Sequence, residues 1–478
     1  MSELDVARYR GMPETSAGRD AFAAPFVERR RSQFAEGEQA LPPMPRRIED
    51  TGLELLFLAE LCGKLIFLRG KLALSALANQ VALPPVVLNP VLDFMRAEHL
   101  AEVARRGSQE GDVEYQLTEE GKRRAIESLQ RCQYVGPAPV TLADYTREVE
   151  RHSIGGLQIR AEMIKRVFAD LIVAPEVLDQ FGAAMNSGRA IFVYGPAGSG
   201  KTYLAERLCR LLGGAVGVPH ALRIDGEIIQ IFDPLVHRPL ADREHSATEG
   251  STLLERRHQL DRRWVLCERP VVMTGGELTL AMLDLHFDAA SRFYQAPPHL
   301  KANNGIFIVD DLGRQLVAPR DLMNRWIVPL DRRCDFLALH TGYKFRVTFD
   351  VLVVMSTNLR PTDLADEAFL RRLGYKIHLG PVAPGAYRQL CERYCASFEV
   401  TFDRAGFDVL VEELHGPQQR PLLACYPRDL IGMVRDFALY DGVDAALTPS
   451  AVRRAWAVYF VPDRGADSTD CMTKGNAP

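Results

Sequence analysis

The sequence predicts an α/β protein: a parallel sheet carrying a phosphate-binding loop, a helical domain behind it and a small α+β domain ahead. Three observations predict it. Ala190-Ile191-Phe192-Val193-Tyr194 is an apolar strand, Gly195-Pro196-Ala197-Gly198-Ser199-Gly200-Lys201-Thr202 fits G-x-x-x-x-G-K-[ST], and Tyr203 to Leu212 continues as a helix. Further along, Gly305-Ile306-Phe307-Ile308-Val309 runs into Asp310 and Asp311. A third apolar run, Val351 to Thr357, ends at Asn358, and runs of this kind suit parallel strands covered on both faces.

Each part has a chemical reading. Glycines let the backbone fold around phosphates so that successive N–H groups and the positive end of the helix face an anion. The implied ligand is a nucleotide, with Lys201 reaching its outer phosphates and Thr202 ligating Mg²⁺. Carboxylates at the C-terminal end of a parallel strand face the same site. Asp310 is therefore expected to hold the Mg²⁺ through water, Asp311 to polarise the attacking water, and Asn358 to orient that water or touch the γ-phosphate.

With 478 residues, 47% of them hydrophobic and 25% charged, the chain has the composition of an ordinary soluble protein of two or three domains. A net charge of −4 excludes the whole chain as an electrostatic glue for nucleic acid or anionic membrane. No stretch of about 18 uncharged apolar residues occurs, and no apolar core of signal-peptide type opens the sequence, so the expectation is a cytoplasmic protein without membrane insertion. The nine cysteines are scattered and read as reduced thiols. Cys391 and Cys395 share a helix face and could hold metal, but no second ligand pair stands near and packing is the favoured reading.

Taken in order, residues 1–48 are Pro-, Gly- and charge-rich and read as a mobile arm. Residues 49–130 hold an apolar helix from Leu53 to Ile66, another over Leu74 to Val81, a third from Pro85 to Arg96, two short strands at Ala101 to Ala104 and Val113 to Leu117, and a last helix capped by Thr118. This order resembles a winged helix. Between residues 51 and 128, nine basic residues stand against eleven acidic ones, which argues for docking on protein rather than on DNA. Residues 131–155 read as a linker and 156–379 as the nucleotide-binding domain, with Ile172 and Val173 as candidates to cup a base or simply to fill core. Within it, the stretch 213–300 is a long insert that opens with a hairpin about Asp225-Gly226. A second hairpin, projecting through His340-Thr341-Gly342-Tyr343-Lys344, precedes Asn358, and His340 reads as a turn residue rather than a metal ligand. Residues 380–463 read as a helical lid and 464–478 as a frayed tail.

The order of phosphate loop, Asp310-Asp311, Asn358, Ala368-Phe369-Leu370-Arg371-Arg372 and Tyr426-Pro427-Arg428-Asp429-Leu430 resembles the AAA+ ATPases over about residues 155–463. The hairpin before Asn358 is similar to that of MoxR-like and related branches. The resemblance implies an Mg²⁺-dependent ATPase working as a ring of identical subunits, a hexamer, to remodel or assemble a protein partner. A DNA-bound initiator, helicase-loader or transposition-helper type is the alternative. It further implies Asn358 as sensor 1, Arg372 or Arg371 as the arginine finger entering a neighbour's site, and Arg428 as sensor 2. Asp311 departs from the usual glutamate, and Arg-Arg-Leu from the common Arg-Phe.

Overall fold

A computed structural model describes residues 41–106, 113–240, 260–364 and 370–460. The expected arm up to residue 40, the polar run 241–259, Ala368, Phe369 and the tail 464–478 lie outside the described residues.

The N-terminal module has helices α1 (Leu55–Arg69), α2 (Leu74–Val81), α3 (Pro85–Ala97) and α4 (Glu119–Arg131), and strands β1 (Lys71–Ala73), β2 (Ala101–Arg106) and β3 (Val113–Leu117). The strands form an antiparallel sheet in the order β1-β3-β2. Thr118 starts α4 as expected, its hydroxyl accepting the Gly121 N–H at 3.1 Å. Pro90 is tolerated inside α3 because it lies on the solvent side, where the carbonyl it leaves unpaired can bond to water. The stretch expected as a linker folds instead. It contains β4 (Val140–Thr141) and α5 (Leu142–Arg151), whose Tyr145 and Val149 are buried in the core.

The central sheet collects β10 (Val271–Thr274), β13 (Ile306–Val309), β16 (Leu352–Thr357), β5 (Ile191–Tyr194) and β17 (Tyr375–His378) in that order, every pair parallel. Helices α6 (Ala161–Val167), α7 (Pro175–Ser187) and α8 (Lys201–Leu212) cover one face, and α9 (Pro319–Arg332) the other. β10 and β17 complete the sheet at its two edges. β10 comes from within the stretch 213–300, so that stretch is not wholly an insert to the central sheet.

Four strands of that insert join a second sheet. β7 (Ala221–Ile224) and β8 (Glu227–Gln230) turn about Asp225 and Gly226, both with positive φ at 49° and 82°, as a tight hairpin requires. With β4, β11 (His286–Asp288) and β12 (Phe293–Gln295) they make the order β11-β12-β8-β7-β4. β6 (Ala215–Pro219) and β9 (Trp264–Glu268) form a separate antiparallel pair. Ala221, Ile228 and Phe293 join the core of the N-terminal module, whereas Leu222, Ile224 and Ile229 face Tyr145 and the hairpin β14 (Cys334–Ala338) and β15 (Lys344–Thr348). That hairpin is present as expected but does not stand free: Leu337, Leu339, Phe345 and Val347 are buried against the second sheet.

The C-terminal helices are α10 (Pro384–Ser397), α11 (Arg404–Asp408) running into a π-helical turn at Val409–His415, α12 (Cys425–Asp441) and α13 (Pro449–Tyr459). Cys391 and Cys395 are packed in their core, and burial pushes both thiols up, that of Cys395 to about 11, which is the chemistry of inert packing groups. Among the described residues no helix is long and apolar enough to cross a membrane.

Candidate nucleotide site

Three neighbouring strands of the central sheet deliver the site. β5 ends in the phosphate loop, β13 in the acid pair and β16 in Asn358, all at the C-terminal edge. Gly195, Gly198 and Gly200 have φ of 150°, 83° and 89°, so the loop follows a path that side chains would obstruct. An added Cβ at Gly195 would stand 2.1 Å from Leu379 O, which leaves no room for another residue. Gly200 caps α8, so the first-turn N–H groups of that helix open into the loop.

The Lys201 side chain is buried, with Nζ donating to Gly195 O at 3.1 Å, Pro196 O at 2.9 Å and Asn358 Oδ1 at 2.7 Å. Burial lowers its pKa from the ordinary lysine value, against an opposing pull from Asp311 and Asp310. Asn358 also donates from Nδ2 to Asp311 Oδ1 at 2.9 Å, so one amide bridges the loop lysine and the second acid. Thr202 Oγ1 donates to both Asp310 oxygens, at 3.0 and 2.9 Å, and Ser356 Oγ donates to the same carboxylate.

Two residues that the sequence reading missed set the acid turn. Ser356, one strand over, orients Asp310, and a small hydroxyl residue just before Asn358 was the available signal. Gln315 takes the Gly313 N–H on Oε1 at 2.8 Å and donates from Nε2 to Asp310 O at 3.0 Å, which holds Asp311 in its left-handed conformation at φ 48°. Nothing local to Gln315 announces that role.

The donor set fits the expected ligands. Thr202, Asp310 and Ser356 present only oxygen, as Mg²⁺ prefers. Ser199 Oγ is buried in the loop with no partner among the described residues, a donor placed for a phosphate oxygen.

The expected arginines part company. Arg428 lies in the first turn of α12, whose Cys425 N–H donates to Gly198 O at 3.1 Å, so the lid docks directly on the phosphate loop. Its own guanidinium pairs with Asp429 at 2.9 Å. Arg371 and Arg372 are not brought to this site. They precede β17, whose Tyr375 is in register with Ile191 at the start of β5, so they lie at the N-terminal edge of the sheet, where Arg372 pairs with Asp331 at 2.8 Å.

His340 is a turn residue, hydrogen-bonded to the Tyr294 hydroxyl and set against the Phe287 ring. Ile172 and Val173 are half-buried, and Val173 packs on the core. On the N-terminal module Arg96 pairs with Asp93, and Lys122, Arg123 and Arg124 pair with Glu119, Glu120 and Glu127.

Fold and site together define a phosphate-loop α/β architecture with a helical lid. A family model described as a domain of unknown function (DUF8689) matches residues 383–458, which is the lid. No curated protein matches the sequence. Among solved structures, the chain is similar to NtrX from Brucella abortus in complex with ADP, at 15% identity and a TM-score of 0.37, covering 60% of this chain and 56% of that one. It is also similar to the Thermotoga maritima RuvB Holliday junction branch migration motor, at 12% identity and a TM-score of 0.34, covering 63% of this chain and 74% of that one. Both likenesses are distant.

Proposed function

We propose that this chain is a AAA+ ATPase that hydrolyses Mg²⁺-ATP in a ring of identical subunits and uses the cycle to remodel or assemble a protein partner. The observation that carries the reading is the convergence of Lys201, Thr202, Asp310, Asp311 and Asn358 at one edge of three adjacent parallel strands. Lys201 and the loop N–H groups grip the phosphates. Thr202 and Asp310 hold the metal, which supplies charge neutralisation when bound. Asp311 accepts the proton of the attacking water and Asn358 keeps that carboxylate and Lys201 in register, so the chemistry is positioning and electrostatics. Arg428 on the docked lid serves the same site, and Arg371 or Arg372 serves a neighbour's.

Protein is the favoured partner because the cations on α4 and Arg96 on α3 are paired with carboxylates, and acidic residues outnumber basic ones in the N-terminal module. Steady-state phosphate release by wild type beside Lys201→Ala tests the ATPase. Release from wild type and none from the variant is expected, and equal rates would end the proposal. Asp311→Asn should bind ATP without cleaving it and retain the client protein on purification. Retention of duplex DNA alone, lost with added salt, would overturn the protein-partner reading.

A further inference from the structure

The turn after β13 carries its second acid in a conformation that most side chains avoid. Asp311 has φ of 48°, and Gly313, two residues on, has φ of 105°. A left-handed residue other than glycine persists where its surroundings fix it. On one flank β16 does so: Leu312 donates its N–H to Ser356 O and accepts from Thr357 Oγ1, both at 2.7 Å. On the other flank stands one amide. Gln315 Oε1 takes the Gly313 N–H at 2.8 Å, while Nε2 lies 3.0 Å from Asp310 O, 3.4 Å from Asp311 O and 3.3 Å from Gly275 O. An N–H on one side and carbonyls on the other fix which way the amide points. Gly275 directly follows β10, so the same side chain ties the acid turn to the edge strand of the sheet.

Asp311 is also the acid whose Oδ1 accepts from Asn358 Nδ2 at 2.9 Å. Were its φ to relax into the ordinary negative region, the Cα–Cβ bond would swing to the other side of the backbone and the carboxylate would leave that amide. We infer that Gln315 is a positioning residue for hydrolysis: it keeps the Asp311 backbone left-handed and thereby holds the carboxylate in register with Asn358. The contacts of its amide are with backbone, so it acts through Asp311 rather than on the nucleotide. The inference rests on the ATPase reading above and adds to it a residue that no motif marks.

The test sets Gln315→Ala and the equally long Gln315→Met beside wild type in three measurements: phosphate release at saturating Mg²⁺-ATP, equilibrium titration with a fluorescent ATP analogue, and hydrogen exchange of the nucleotide-free protein. Both variants are expected to lose about 30-fold in kcat while affinity changes by less than about twofold. Amides of the turn, Gly313 first, should exchange about tenfold faster, with those of β13 unchanged. If Gln315→Ala does not fold, Gln315→Met, which keeps the length of the side chain, decides alone. Removing Asn358 as well separates positioning from general support of the fold. Gln315→Met/Asn358→Ala should turn over within about threefold of Asn358→Ala, because the contact that Gln315 serves is already gone. Losses that multiply in the double variant overturn the inference, as do wild-type kcat or unchanged exchange at the turn in Gln315→Met, and each leaves the ATPase reading standing. Weakened affinity with kcat intact assigns Gln315 to binding and overturns it too. No hydrolysis by wild type overturns the ATPase reading and this inference with it.

Discussion

Asn358 ties a cation to a carboxylate at hydrogen-bond distance on both sides, so its removal should disturb the transition state more than nucleotide binding. Asn358→Ala is expected to lower kcat about 100-fold with little change in nucleotide affinity, read by phosphate release beside equilibrium titration. Gly198 has a different sensitivity. Its φ of 83° already disfavours any side chain by about 1–2 kcal/mol, and a Cβ there would stand 2.3 Å from Cys425 Sγ on the lid. Gly198→Ala should push the lid from the loop and weaken ATP binding about tenfold, with part recovered in Gly198→Ala/Cys425→Gly; an undiminished affinity in the single variant would refute the lid contact.

α9 and β14 meet over a buried ionic group in which Asp335 receives Arg325 at 2.8 Å on both oxygens and His299 at 2.9 Å. Burial pushes the Asp335 carboxyl up, but the hydrogen bonds and charges of His299 and Arg325 prevail and bring it to about 2, below the 3.8 of a free aspartate. A depressed carboxyl stabilises the folded state above its unfolded pKa and loses that contribution as pH falls towards its folded one. Stability should therefore drop by on the order of 2 kcal/mol between about pH 4 and pH 2 from this group, and Asp335→Asn should flatten that part of the profile in chemical denaturation. The hairpin above it has a matching lesson. Its alternation predicts two strands and a turn, yet whether one face meets solvent or a second sheet depends on β7, β8 and β12, which local pattern does not contain.

Across the molecule, the N-terminal module and the second sheet share a core, and Arg263 fixes the junction. Its guanidinium pairs with Asp261 and also donates to Thr51 O at 3.0 Å and Pro139 O at 3.4 Å, with both charged side chains nearly inaccessible. Arg263→Ala leaves Asp261 buried without its cation and should cost about 3–5 kcal/mol, seen as a lowered midpoint in thermal unfolding. If the module were instead tethered by a free linker, as residues 131–155 suggest when read alone, the substitution would leave the midpoint of the phosphate-loop domain unmoved.

The placement of the candidate site was legible because its residues stand in short contiguous pieces: a glycine-rich turn between strand and helix, and polar residues at the tips of apolar runs, whose period and order put them at one edge of a parallel sheet. The capped helix at Thr118 and the Asp225-Gly226 turn were legible for the same reason, since a cap or a tight turn needs only neighbours in sequence. What the folded chain alone decided are pairings between distant segments. β4 joins β7 across about eighty residues, β10 turns out to be an edge strand of the central sheet, and Gln315 and Ser356 brace the acid turn. No local periodicity encodes such partners, because register between remote strands is selected by burial and hydrogen bonding that exist only once the core has closed.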